Sequence, residues 1–144
     1  MRLKLVNKLD SSIINFLLSI RNKKYIRNAS NSKKIIKLSK HLKWIDGFFN
    51  KKENQIYLIF NHSKKIGYIR LEKKNYLFTV SWALIKAYSN KGIMSKSLKK
   101  ITNKKNYKYR ALIKTSNIAS SRVALKAGFY LKRKTRGREE YHKN

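Results

Sequence analysis

The sequence predicts a single α/β domain over residues 1–144, and three observations carry that expectation. Before residue 50 the apolar residues repeat with helical spacing. Between residues 55 and 85 they fall into three short runs rich in β-branched and aromatic side chains. After residue 85 helix-like and strand-like segments alternate, with no linker and no internal repeat.

Element by element, Arg2 to Asn7 alternates and reads as a short strand. Asp10 then stands where a helix cap belongs, before SSIINFLLSIRN (11–22), whose Ile13, Ile14, Leu17, Leu18 and Arg21 share one helical face. Residues 23–34 are polar and loop-like. A second helix is expected over Ser39 to Phe49, with Leu42, Ile45 and Phe49 inward. QIYLIF (55–60), KIGYIRLE (65–72) and NYLFTVSWALI (75–85) read as strands, the first two joined by a hairpin turn at residues 61–64. Residues 88–92 break the pattern, and Ile93 to Leu98 begins another helix. YRALIK (109–114) reads as a strand, SNIASSRVALKAG (116–128) as a helix and FYLKRK (129–134) as a last strand. The tail from about residue 135 is weakly patterned.

Composition narrows the function classes. There is no cysteine, which excludes disulfides, zinc–thiolate sites and thiol nucleophiles. The longest apolar runs are strand-length, too short to span a bilayer, and the N-terminus lacks a secretory pattern, so a cytoplasmic protein is expected. Against 37 Lys and Arg stand six acidic residues, a formal net charge of +31. Such a balance suits an anionic partner, nucleic acid included, but the basic residues are spread over every segment, as compositional drift would also spread them. His41, His62 and His142 show no ligand spacing, and the adjacent Glu139 and Glu140 point apart in any strand, so no metal site or paired-carboxylate site is expected.

What remains is VSWALI, a small-residue loop KAYSNKGIMS, and a helix. Unpaired N–H groups at a helix start, beside a glycine, suit a phosphate. Gly92 would allow close backbone approach, Lys91 would supply charge, and Ser89 or Ser95 a hydroxyl; an ordinary capped helix start explains the same residues.

A long strand, this loop and helix, a strand, and then Asn117-x-x-Ser120 running to Ala127-Gly128-Phe129 together resemble the GNAT N-acetyltransferase superfamily. The resemblance implies a mixed central sheet flanked by helices, and acetyl-CoA as co-substrate. Of the family's loop pattern, at Ser89, Gly92 and Met94, only the glycine agrees. Upstream, Arg21-Asn22, Arg27, Asn31-Ser32, His41-x-x-Trp44 and Ile66-Gly67-x-x-Arg70 look like the sugar-modifying members associated with pseudaminic-acid and related surface-glycan pathways.

By that resemblance, main-chain groups at Ala83, Leu84 and Ile85 would pair with the pantetheine arm in a split between neighbouring strands. The loop amides of Asn90, Lys91, Gly92, Ile93, Met94 and Ser95 would hold the pyrophosphate, and Asn117 would reach the cofactor arm. Arg21, Arg27, His41, Trp44 and Arg70 would form the acceptor side, with arginines on a diphosphate and Trp44 against a flat base or sugar; core packing is the other role open to Trp44. His41 and Trp44, three residues apart, share a helix face. The family's usual acid, a helix tyrosine, and its usual base, a glutamate early in the fourth strand, match Ala124 and Thr79 here. No catalytic acid or base is therefore assigned; Tyr88 and Tyr130 are the neighbouring tyrosines. The expected activity is acetyl transfer to a primary amine, foremost that of a nucleotide-activated amino sugar. A protein N-terminal acetyltransferase of ribosomal type and a basic nucleic-acid-binding domain on the same fold are the alternatives.

Overall fold

A computed structural model describes residues 1–30 and 32–144, so Asn31 of the Asn31-Ser32 pair lies outside the described residues. The elements are β1 (Arg2–Leu5), α1 (Ser11–Arg21), α2 (Lys24–Ala29), α3 (Leu38–Phe49), β2 (Gln55–Asn61), β3 (Lys64–Lys74), β4 (Leu77–Leu84), α4 (Ile93–Ile101), β5 (Lys108–Lys114), α5 (Ile118–Lys126), β6 (Tyr130–Thr135) and β7 (Arg138–Lys143). The strands form one mixed sheet in the order β1-β2-β3-β4-β5-β7-β6. Every neighbouring pair is antiparallel except β4 and β5.

Strand alternation divides the apolar residues between two layers. Ile56, Leu58, Phe60, Tyr68 and Ala83 face α1 and α3, packing on Leu17, Ile20, Ile45 and Phe48. Ile59, Ile66, Ile69, Leu71 and Val80 face α4 and α5, packing on Met94, Leu98, Ile101 and Ala124. The three-layer α/β fold expected from the sequence is present, and among the described residues no helix is long and apolar enough to cross a membrane.

Helix signals read from the sequence have direct physical counterparts. Asp10 accepts from the Ile13 N–H at 2.8 Å, and Asn117 accepts from the Ser120 N–H at 3.2 Å, so both cap the helices they precede. At the far end of α5 the Phe129 N–H returns to the Ala124 carbonyl at 3.0 Å, which is how Ala127-Gly128-Phe129 closes the helix. The hairpin at 61–64 forms with Asn61 opposite Lys64.

Three expectations need correction. Residues 24–29, read as loop, form α2; its single turn and a half is anchored by tertiary contacts of Tyr25 and Arg27 rather than by a long amphipathic repeat. In α3 the inward face is His41, Ile45 and Phe48, while Leu42 is exposed and Phe49 only half-buried. A buried imidazole with both nitrogens bonded replaces the leucine that hydrophobicity alone selected. The tail contains β7, which inserts between β5 and β6 and buries Tyr141. Its charges mask the pattern because Glu139 and Glu140 lie against basic neighbours on opposite faces.

Candidate active site

The parallel pairing of β4 and β5 runs through Leu77–Lys108, Phe78–Tyr109 and Thr79–Arg110 and stops there, although both strands continue. Beyond Thr79 the two strands diverge, and a cavity of about 1180 Å³ opens over the split. It is lined from one layer by α1, α2, α3, β3 and β4, and from the other by the β4–α4 loop, α4, α5 and β7.

Main-chain geometry defines the first half of the site. The Ile85 N–H is bonded to the Ile66 carbonyl at 2.8 Å. Alternation along β4 therefore turns the main-chain groups of Ala83 towards β3 and those of Trp82 and Leu84 towards the split. The Leu84 carbonyl already accepts from the Tyr25 hydroxyl at 2.9 Å, and that hydroxyl accepts from the Lys86 N–H at 2.8 Å. Of the expected pantetheine partners, Ala83 and Leu84 line the cavity, but Ile85 does not, and its N–H is spent inside the sheet.

The loop behind β4 carries two left-handed residues, Asn90 (φ 61°) and Gly92 (φ 76°). They turn the chain so that α4 starts at the cavity, with Gly92 as its cap and no side chain covering the first-turn N–H groups. Asn90, Gly92, Ile93, Met94 and Ser95 line the cavity. Lys91 does not; its ammonium lies 5.9 Å over the Tyr88 ring. Met94, where the family prefers a small residue, turns its side chain into the core and is 4% exposed, so it need not fill the anion position. The Ser95 hydroxyl donates to the Gly92 carbonyl at 3.1 Å and is thereby committed. Asn117 lines the cavity while capping α5. Ala124 is fully buried in the core, so no side chain from that position enters the site.

On the other half, charge and aromatic surface converge. The guanidinium carbons of Arg21 and Arg70 lie 4.3 and 5.1 Å from the Trp44 ring centroid, and all three residues line the cavity. His41 is wholly buried beneath them, stacked on Trp44 with ring centroids 5.9 Å apart. Its Nε2 lies 3.1 Å from the Ile14 carbonyl, which can only accept, so that nitrogen carries the proton. Nδ1 then accepts from Arg21 Nη1 at 3.3 Å. Burial pushes the His41 pKa down, the Ile14 hydrogen bond pulls it up, and the Arg21 charge pushes it down again. His41 thus orients Arg21 and does not itself reach the cavity. Arg21 is held below its usual range by burial; Tyr68 and Glu72 oppose that shift and Arg70 adds to it. Arg27 lines the cavity but donates to the Asn22 carbonyl at 3.0 Å and the Lys33 carbonyl at 2.7 Å, stapling the α2–α3 connection.

Two of the cavity residues not anticipated from the sequence, Tyr25 and Glu72, bear on the chemistry. Tyr25 lay in a segment read as loop, and its short polar surroundings carry no local signal for α2. Glu72 lies two residues beyond Arg70 on β3 and so on the same face, which could have been read from the strand period once Arg70 was placed. Tyr130 is exposed on β6 away from the cavity, whereas Tyr88 lines it.

The residues present fit an acetyl-CoA molecule: an open strand edge suits its amide arm, and the uncapped start of α4 suits its phosphates. A family model for the acetyltransferase (GNAT) domain matches residues 9–130. A comparison with curated proteins finds no match. Among solved structures the chain is similar to RimL, a ribosomal L7/L12 alpha-N-protein acetyltransferase in complex with coenzyme A (19% identity, 98% of this chain and 93% of that one, TM-score 0.78). It is also similar to yncA, a putative acetyltransferase from Salmonella typhimurium with acetyl-CoA (15%, 97% and 92%, TM-score 0.75). A third is spermidine N-acetyltransferase from Vibrio cholerae with CoA and spermine (12%, 97% and 92%, TM-score 0.77). With its family model matched over most of the chain, and the strand split and open helix start where a CoA thioester needs them, the protein belongs to the GNAT family as an N-acetyltransferase that uses acetyl-CoA.

Proposed function

We propose that the acceptor is a primary amine on a molecule that carries negative charge of its own, and that a nucleotide-activated amino sugar of the kind used for surface glycans fits best. The observation that carries this reading is the pair of guanidiniums, Arg21 and Arg70, set over one indole in the cavity wall. A diphosphate can engage both forks, and a flat base or sugar face can lie on Trp44. Nine basic side chains line the cavity, and Glu72 is the one acidic residue among its described lining residues. A polyamine would meet that charge with repulsion, so the likeness to the spermidine enzyme does not extend to its substrate. Ala83, Leu84, the Gly92–Ser95 turn and Asn117 would bind acetyl-CoA, which supplies the activated acetyl group. Arg21, Trp44 and Arg70 would hold the acceptor, with His41 and Arg27 shaping the wall behind them. The cytoplasm is the expected compartment.

The test is turnover of UDP-linked amino sugars against an alanyl peptide and spermidine, each with acetyl-CoA. Arg21→Gln and Arg70→Gln are each expected to raise KM for the nucleotide sugar about tenfold or more, as loss of a charged hydrogen bond does, with acetyl-CoA affinity unchanged. Preference for spermidine, or an unaltered KM in both variants, would overturn the reading. Preference for the peptide would favour the ribosomal-type alternative.

A further inference from the structure

We propose that Glu72 takes the proton from the acceptor ammonium, supplying from β3 the carboxylate that β4 lacks. Glu72 stands opposite Thr79 in the β3–β4 ladder. Residues directly opposite in such a ladder share a face, with Cβ atoms about 5 Å apart. Thr79 is also the last β4 residue paired with β5, so Glu72 lies beside the point where the split begins. Both residues line the cavity, on the face that also carries Arg70.

Thr79 cannot serve as the base. Its hydroxyl oxygen accepts from Arg110 Nε at 3.3 Å and Nη2 at 3.0 Å, so two cationic donors occupy it. Glu72 makes one ion-pair contact among the described residues, to Arg70 Nε at 3.3 Å from Oε1, and the Arg21 charge also acts on it. That contact fixes the direction of the carboxylate and leaves Oε2 open to a donor. Glu72 is nearly half exposed (45%), so a proton it accepts can pass to water.

The proton balance closes with this one base. The ammonium gives one proton to Glu72 and becomes a neutral amine. Its nitrogen forms the bond to the thioester carbonyl carbon as the C–S bond breaks. A second proton leaves that nitrogen and ends on the departing sulfur, giving the thiol, and Glu72 releases the first to solvent. The inference rests on the family's reaction and holds for any ammonium acceptor, whichever class proves correct.

Glu72→Gln separates this role from a merely structural one. The acceptor is whichever of a UDP-amino sugar, an alanyl peptide or spermidine the wild type acetylates fastest; hydroxylamine, largely neutral at neutral pH, is the control nucleophile. Calorimetry should give the variant an acetyl-CoA affinity within twofold of wild type, which also shows that it folds. At neutral pH, kcat should fall about 10²-fold with the ammonium acceptor and recover as the pH is raised towards the amine's own pKa. With hydroxylamine the loss should stay within threefold. Equal loss with both nucleophiles, loss that high pH does not relieve, or no loss would each overturn the proposal. Arg70→Gln should raise the acceptor KM without that pH signature; if it reproduces the signature, Glu72 acts only through Arg70. A wild type that prefers the peptide would end the nucleotide-sugar reading and leave the Glu72 result intact, whereas one that acetylates none of the amines overturns both.

Discussion

Gly67→Ala tests how the split is held open. Gly67 lies opposite Leu84 at the end of the β3–β4 ladder, where the Ile85 N–H still bonds β3. A Cβ added at Gly67 would stand 2.6 Å from the Ala83 carbonyl oxygen, 2.9 Å from Leu84 Cδ1 and 3.3 Å from Leu84 Cα. The leucine methyl can rotate away, but the carbonyl oxygen and Cα belong to the backbone of β4. Relief therefore requires the last residues of β4 to move by several tenths of an ångström, and these are the residues that border the split. Overpacking of this kind typically costs about 1–3 kcal/mol. For a domain of this size that corresponds to a fall in Tm of roughly 3–10 °C. Because the moving residues are Ala83 and Leu84, acetyl-CoA affinity should fall with stability, at least severalfold by calorimetry on the folded variant. A Gly67→Ala protein with Tm within 1 °C of wild type and undiminished acetyl-CoA affinity would refute the claim that this glycine sets the spacing of β3 and β4.

Two further predictions concern the cofactor loop and pH. Gly92→Val places a β-branched residue at φ 76°, so acetyl-CoA should bind at least tenfold more weakly by calorimetry, with a Tm loss of only a few degrees. His41 and His142 both have folded-state pKa values pushed below the usual 6.5, by burial first in each case. The unfolded chain then binds more protons below that pH, so their contribution is intact above about 6.5 and is lost as the pH falls, by up to about 1.4 kcal/mol per pH unit for each group. Urea unfolding between about pH 8 and pH 5 should show this slope, and His41→Gln should remove its share; stability that rises on acidification would contradict the lowered imidazole pKa values.

The half of the cavity built from β4, the start of α4 and Asn117 was legible because main-chain structure is written in local signals. A cap such as Asn117, a glycine at a left-handed turn and an apolar strand of known length each leave a mark within a few residues. Even so, the commitment of the Ile85 N–H to β3 follows from sheet register, which no local pattern carries. The half walled by Arg21, Trp44 and Arg70 depends on contacts between residues far apart in the chain. Arg21 reaches His41 across 20 positions, and Tyr25 reaches Leu84 across 59. His41 and Trp44 could be placed on one face from their spacing. Which of them meets the cavity and which lies beneath could not, because that depends on how far α3 is rotated against β2 and β3. Glu72 was hidden for another reason: the expectation of a carboxylate was tied to β4, and its replacement by the residue directly opposite appears only once the register is known.

The charge of the chain divides in the same way. A lysine or arginine held by carbonyls and hydroxyls is serving the fold: Lys143 donates to Thr102 and Ala127, Arg27 to Asn22 and Lys33, and Arg110 to Thr79. Burial lowers the pKa of Lys143, and nearby Lys99 lowers it further, so this ammonium is tolerated for the bonds it makes. Arg21 differs in kind. It is half-buried, it is oriented by a histidine that has no exposure of its own, and its flat face lies on an indole at the cavity wall. A side chain fixed that firmly has lost much of the water that would stabilise its charge, and the charge of Glu72, itself paired with Arg70, offsets that loss only in part. The arrangement is stabilised when an anion arrives, and the positive charge of Arg70 beside Arg21 adds to the attraction. Compositional drift accounts for cations spread over every segment, but it does not place a buried imidazole behind one of them.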